Sequence, residues 1–363
     1  MVKKADRYIT LDNGIVAKAT FPIVVSASRS TDIPAFYSDW FFHRLEKGYS
    51  AWTNPFNGVR YYVSYEDTKF IVFWSKNPRP LLAHLDILNE KGIACYIQYT
   101  LNDYEQERLE RGVLPLSERI ETFKLLVEKL GKGAVIWRFD PLILTDKISV
   151  DDLIRKIEII GDQLYGYTEK LVFSFADISF YRKVKSNFEK NNVNYREWDE
   201  TTMLEFACKI VELNQKWNFE LATCGEKINI EQLGIKHNHC VDDKLIVRFG
   251  YRSPEIMKFL GAEFLQNQSP QGTLDLFAFE ETKNPIPEGA ILLDNGEYAV
   301  INKNNKDKGQ REFCGCMKSK DIGEYNTCPH LCEYCYANTS KESAVRNWNQ
   351  HKANPLSETI TGK

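Results

Sequence analysis

AVIWRFDPLILTDKISVDDLIRKIEIIGDQLYGYTEKLVFSF, residues 134–175, is the stretch that decides the fold. It opens on an apolar run from Ala134 to Phe139 that ends at Asp140-Pro141. Ser149 then stands as a helix cap before Leu153, Ile157, Ile160 and Leu164, whose spacing places them on one helical face. Leu171 to Phe175 is a second strand, ending at Asp177. Strand, amphipathic helix, strand is a βαβ unit, and strands joined by a helix of this length lie parallel.

The same alternation continues on both sides. Upstream, strands are predicted at Pro22–Ala27, Tyr49–Thr53, Lys69–Trp74 and Ile93–Thr100, with helices over 35–47, 80–90 and 117–130. Downstream, a charged excursion over 181–199 precedes a helix at 200–216 and a strand from Phe219 to Thr223. Seven strands in this series without a glycine-rich nucleotide turn predict an α/β fold, a complete or partial (β/α) TIM-like barrel, over a doubly wound sheet. YITLDNGIVAKAT (8–20) and ILLDNGEYAVIN (291–302) each read as a hairpin turning on Asp-Asn-Gly. Between 250 and 310 the chain is loop-rich, broken by QNQSPQGT and NPIPEG. The expected organisation is a barrel with its N-terminal hairpin over 1–249 and a connection with a hairpin over 250–310. A cysteine-rich segment over 311–340 then folds across the strand C-terminal ends, and a polar tail over 341–363 adds little to the core.

The predicted strands end in polar residues: Arg29 and Asp32, Lys76 and Asn77, Asn102, Arg138 and Asp140, Asp177, Cys224 and Glu226. A barrel gathers such tips on one face, where active sites are built. Arg29, Asp32, Arg138 and Asp140 are therefore the catalytic candidates. The plainer alternatives are polar residues that simply begin loops and an Arg138–Asp140 salt bridge beneath one of them.

Composition narrows the classes. Apolar residues make up 43% and charged residues 27%, as in a globular chain, and a net charge of -3 argues against a nucleic-acid surface over the whole molecule. A local basic patch leaves a nucleic-acid partner open. The N-terminal MVKKADRYITLDNG has no apolar core of signal-peptide length and no apolar run reaches eighteen residues, so a cytoplasmic protein without a membrane span is expected. Neither a phosphate-binding loop nor a nucleophile elbow is present.

Nine cysteines in a reducing compartment point to metal or redox chemistry rather than disulfides. Five of them fall in CGCMKSKDIGEYNTCPHLCEYCYAN, residues 314–338. Cys328, Cys332 and Cys335 are spaced C-x3-C-x2-C, with Tyr334 before the last. Three thiolates hold three irons of a [4Fe-4S] cluster and leave the fourth iron open to a ligand. The zinc alternative takes Cys314-x-Cys316 as a pair and Cys332-x2-Cys335 as a knuckle. Cys314 and Cys316, together with Cys224 and Cys240, make the four ligands of a second, fully ligated [4Fe-4S] cluster. The alternative there is a buried Cys224 and a free Cys240. His237 and His239 are ligands or loop residues; Cys95 and Cys208 read as core, and His43 and His84 as structural.

The triplet and its aromatic resemble the cluster loop of the radical S-adenosylmethionine superfamily. The resemblance implies that the open iron is chelated by the amino and carboxylate groups of S-adenosylmethionine and that an electron from the cluster cleaves the sulfonium. The 5′-deoxyadenosyl radical so released attacks the substrate. It implies Tyr334 near the adenine and an electron donor such as a flavodoxin or ferredoxin. Two departures stand out. The cluster loop comes last instead of after the first strand, and no Gly-Gly-Glu follows a second strand to hold the methionine amine. Ser75, Lys76 and Asn77 are the candidates in its place.

SRSTDIPAFYSDWFF (28–42), FWSKNP (73–78), VIWRFDPLILTD (135–146), GYTEK (166–170), Cys224-Gly-Glu, Cys240-Val-Asp-Asp and the terminal cysteine segment resemble the bacterial family catalogued as domain of unknown function 1848. The likeness runs over most of the chain and is weakest at about 250–305. That family name carries no activity, so the resemblance groups the seven cysteines without naming a reaction. The functional expectation is a radical S-adenosylmethionine-like enzyme acting on a polar substrate. The alternative is a non-enzymatic zinc or cluster module that binds nucleic acid or protein, senses redox state or carries electrons.

Overall fold

Eight parallel strands form one sheet in a computed structural model of the chain. The structure describes residues 6–54, 57–265 and 286–363; QNQSPQGT, Asn284-Pro285 and Pro55 lie outside them. In chain order the strands are β1 (Val24–Ala27), β2 (Phe70–Ser75), β3 (Ala94–Thr100), β4 (Val135–Leu142), β5 (Lys170–Phe175), β6 (Glu220–Thr223), β7 (Lys236–His237) and β8 (Lys320–Asp321). They lie side by side in the order β7-β6-β5-β4-β3-β2-β1-β8. Neighbours in the chain are thus neighbours in the sheet, as a βα series dictates. The exception is β8, which returns from the cysteine-rich segment to set Lys320 against Val25 and Asp321 against Ser26.

The sheet is α/β and all-parallel, but it does not close: among the described residues no ladder joins β7 to β8. The complete barrel is therefore not what forms. One face of the sheet packs on the crossover helices, among them Leu116–Leu130, Val150–Leu164 and Glu200–Asn214. The other face presents Val24, Phe70, Val72, Tyr96, Ile136 and Val172 to the helices Asp243–Gly250 and Pro254–Leu260. A closed barrel fills its interior with strand side chains alone. Here helices occupy that space, so the edges stay apart.

Local signals hold where they are strong. Ser149 and Asp152 form a complete capping box for Val150–Leu164. The Asp-Asn-Gly turns lie between Arg7–Thr10 and Val16–Thr20, and between Ile291–Leu292 and Tyr298–Ile301, both antiparallel. Tyr49–Thr53 departs from expectation. It belongs to a separate four-stranded sheet, antiparallel to Arg60–Ser64, because Asn57-Gly58 turns the chain back at once and leaves no room for a crossover helix. The helix expected over 35–47 breaks at Tyr37 into Ile33–Phe36 and Ser38–Lys47. Cys208, read as core, is exposed, because Phe206, Ala207 and Ile210 take the inward face of its helix.

The tail also departs from expectation. Lys341–Ala353 is a helix whose Trp348 ring meets Phe36 edge-on at 5.6 Å and Tyr37 at 5.2 Å. Beyond it the Glu358 carbonyl accepts from the Ala51 amide at 2.7 Å, and Ile360 is buried in the main core. Its few apolar residues are scattered among charges, so no stripe is visible in the sequence. Ile360→Ala is expected to cost about 2–5 kcal/mol in urea denaturation; an unchanged midpoint would show that the tail is not part of the core.

Candidate metal centre

Everything at this site hangs from the C-terminal ends of the parallel strands. Asp32 follows β1, and its buried carboxylate has four partners. Oδ1 accepts from Ser75 Oγ at 2.6 Å and from the Ala35 amide at 3.0 Å. Oδ2 accepts from the Lys76 amide at 2.7 Å and lies 2.7 Å from His330 Nε2. His330 belongs to the loop that carries Cys328, Cys332 and Cys335, and its Nδ1 lies 3.1 Å from the Gly112 carbonyl. The Gly112 amide donates back to the His330 carbonyl at 2.9 Å. A Cβ at position 112 would come within 2.7 Å of that oxygen, so glycine is required there. Further ties run from Thr31 Oγ1 to Thr327 Oγ1 at 2.6 Å and from Asn338 Nδ2 to the Cys328 carbonyl at 2.8 Å. Glu333, beside Cys332, is buried against Lys341 at 2.5 Å and Arg111 at 3.2 Å.

No thiol–thiol hydrogen bond joins Cys328, Cys332 and Cys335. Burial pushes the Cys328 thiol up to about 12, with Asp32 and Cys335 adding to it. Burial likewise raises Cys332, against the pull of the Lys76 ammonium. Tyr334 points its phenol into a polar knot: it donates to Glu110, and Lys76 Nζ and Asn102 Nδ2 approach it at 2.8 Å and 3.1 Å. Lys76 also donates to Glu110 at 2.7 Å. Burial alone would raise the Glu110 carboxyl, but Lys76 and Arg119 hold it at about 2. Of the residues proposed to replace Gly-Gly-Glu, Ser75 is engaged with Asp32, Lys76 with Glu110, and Asn77 keeps a buried Oδ1 without a hydrogen bond.

The other four cysteines meet on the opposite face of the sheet. Cys224 and Cys240 Sγ lie 3.2 Å apart. Cys316 neighbours Cys240 and Cys314 electrostatically, but among the described residues no three of the four sulfurs lie within 4.8 Å of one another. Hydrogen bonds from Cys224 and then Cys316, with help from Arg138, hold Cys240 well below the ordinary thiol range despite its burial. Arg138 joins this set through Nη1, 3.2 Å from Cys240 Sγ, and pairs through Nη2 with Asp140. The salt bridge left open by the sequence therefore forms, with a thiol as its third member. Arg29 and Arg138 both stack on Trp74, 5.5 and 5.4 Å from its ring centre. The Arg29 amide donates to Asp321 at 2.9 Å. His239 packs on Gly315, while His237 stands at the end of β7.

Glu110, His330, Gln98 and Trp74 were not singled out from sequence. Glu110 lies in an irregular loop with no periodicity to mark it, and Gln98, which accepts from Arg138 at 3.0 Å, is a polar residue inside an apolar strand. A family model for a domain of unknown function, DUF1848, matches residues 24–337. No curated protein matches the chain.

Glu226 supplies a pH test. Its Oε1 accepts from the Phe175 amide at 3.0 Å, and burial, with Asp140 adding, raises its carboxyl from 4.5 to about 7. A raised folded value stabilises the protonated form: the contribution is full below 4.5 and is lost as pH rises through about 7. Glu226→Gln is expected to remove that part of the decline, read as Tm between pH 5 and pH 8. Parallel profiles for the two proteins would refute the assignment.

Proposed function

The chain belongs to the DUF1848 family, and we propose that it is an iron–sulfur enzyme of the radical S-adenosylmethionine kind that acts on a polar substrate. One observation carries the reading. Cys328, Cys332 and Cys335 form a three-thiol set, and the histidine within their loop is committed elsewhere: both ring nitrogens of His330 face acceptors, Asp32 at 2.7 Å and Gly112 at 3.1 Å. A structural zinc site needs four ligands, and His330 has no lone pair turned toward the thiols. Three thiolates without a fourth ligand suit a cluster with one open iron. When bound, a [4Fe-4S] cluster supplies the electron that cleaves S-adenosylmethionine.

The chain's own residues orient and insulate that site. Asp32 acts as a tether: its four hydrogen bonds leave it nothing for a substrate, and through His330 it sets the loop over the strand ends. Lys76 places a half-buried positive charge beside Cys332 and offsets thiolate charge. Asn77 Oδ1, buried without a partner, is the acceptor we assign to the amine of S-adenosylmethionine. Asp140 and Ser174, which donates to it, are the polar groups we assign to the substrate, with buried Arg138 held behind them by Asp140 and Cys240. A one-electron donor such as a flavodoxin or ferredoxin completes the system. Among the described residues no helix is long and apolar enough to cross a membrane.

Anaerobic reconstitution should give iron with acid-labile sulfide, and reduced protein with S-adenosylmethionine should release 5′-deoxyadenosine. An intact cluster with no 5′-deoxyadenosine would instead favour an electron carrier or sensor, and zinc without sulfide a non-enzymatic module. Cys332→Ala is expected to abolish 5′-deoxyadenosine formation. Asp32→Ala should reduce cluster loading several-fold while far-ultraviolet circular dichroism stays that of the parent; full loading would remove the tether from the mechanism.

A further inference from the structure

We infer that Cys224 and Cys240 are a redox-active dithiol, a site that exchanges two electrons with a low-molecular-weight disulfide. Their Sγ atoms lie 3.2 Å apart, and a disulfide needs them to close to about 2.05 Å, a shift of about 1 Å. Backbone hydrogen bonds fix both residues. The Cys224 amide, at the end of β6, donates to the Phe173 carbonyl at 2.9 Å. The Asn238 amide donates to the Thr223 carbonyl at 2.8 Å, which brings the chain after β7 alongside. The Cys240 carbonyl accepts from Tyr96 Oη and from Gln98 Nε2, both at 2.8 Å. The ends of two neighbouring strands thus hold the two sulfurs in contact.

The two thiols differ in what surrounds them. Cys240 is buried, and Arg138 Nη1 and Asn238 Nδ2 each donate to its Sγ at 3.2 Å. A guanidinium and an amide N–H favour the thiolate, the form that attacks sulfur. Cys224 is half-buried and is therefore the thiol that an outside reagent meets. The Arg311 guanidinium lies 3.2 Å from where a Cβ on Gly225 would stand, so a positive charge flanks that entry. An anionic disulfide fits it. Exchange then takes two steps. Cys224 attacks one sulfur of the disulfide, whose S–S bond breaks, and a thiolate leaves with the Cys224 proton. Cys240 Sγ next attacks Cys224 Sγ across the 3.2 Å contact, and the second thiolate leaves with the proton that Cys240 has shed. The two cysteines are oxidised by two electrons, and the disulfide is reduced to two thiols. Excess thiol runs the same steps backwards. None of them uses Cys328, Cys332 or Cys335, so the pair acts whatever chemistry the triplet performs.

The test equilibrates the full, reconstituted chain without oxygen against graded ratios of glutathione and glutathione disulfide, then alkylates it and maps the peptides by mass spectrometry. A Cys224–Cys240 cross-linked peptide should build up as the disulfide share rises, and excess glutathione should return both thiols. The cross-link should be absent from both serine variants. Cys240→Ser should trap glutathione on Cys224, whereas Cys224→Ser should leave Cys240 unmodified, since entry is at the half-buried thiol. No cross-link at any ratio, with both cysteines fully alkylated, would overturn the inference in favour of free thiols. If native alkylation leaves Cys224, Cys240, Cys314 and Cys316 all protected until iron is chelated away, the four ligate a second cluster and the dithiol is refuted. Cross-links scattered equally among other cysteines would refute it too. Should a serine variant fail to fold, the cross-link in the parent decides alone. Iron and acid-labile sulfide measured on the same sample report on the triplet separately.

Discussion

One buried carboxylate organises the upper end of this molecule. Asp32 ends the connection after β1, caps the helix Ile33–Phe36, fixes the turn after β2 through Ser75 and Lys76, and receives His330 from a loop almost three hundred residues away. A buried charge without partners is strongly unfavourable, and hydrogen bonds to a charged group contribute about 1.5–3 kcal/mol each. With both oxygens saturated, the carboxylate has one arrangement of lowest energy, and that arrangement includes the cysteine loop. The position of Cys328, Cys332 and Cys335 over the strand ends is therefore a consequence of satisfying Asp32.

A second constraint acts in the same direction. Asp321, in β8, accepts from Ser26 Oγ and from the Arg29 amide, while its backbone pairs with β1. The terminal segment is thereby a strand of the main sheet and not a flap laid over it. This explains how a cysteine loop at the far end of the chain reaches the mouth of the first strand. Continuity along the chain is unnecessary when a parallel edge strand supplies the register.

The two cysteine sets then lie on different sides of one layer. The triplet faces Asp32, Lys76 and Glu110, near the core shared with the crossover helices, whereas Cys240 and Cys316 belong to the core beneath the helices Asp243–Gly250 and Pro254–Leu260. Trp74, flanked by Arg29 and Arg138, stands with the second group and bonds back to Ser26 through its indole nitrogen at 3.0 Å. Helices fill the second face, and the sheet stays open.

What the sequence by itself determined was local. The βα period, the Ser149 cap, the Asp-Asn-Gly hairpins and the C-x3-C-x2-C spacing all depend on residues within a few turns of one another, where backbone geometry converts spacing directly into direction. The seven cysteines were legible as a group, and so were the strand-end residues Asp32, Lys76 and Arg138. Only the tertiary structure decided which thiols touch, that Asp32 serves His330, that Glu110 closes a knot with Lys76 and Tyr334, that the tail carries core residues, and that the sheet stays open. Each of these is a contact between residues far apart in the chain, set by which buried charges and apolar faces can be satisfied together, and no periodicity along the sequence records that choice.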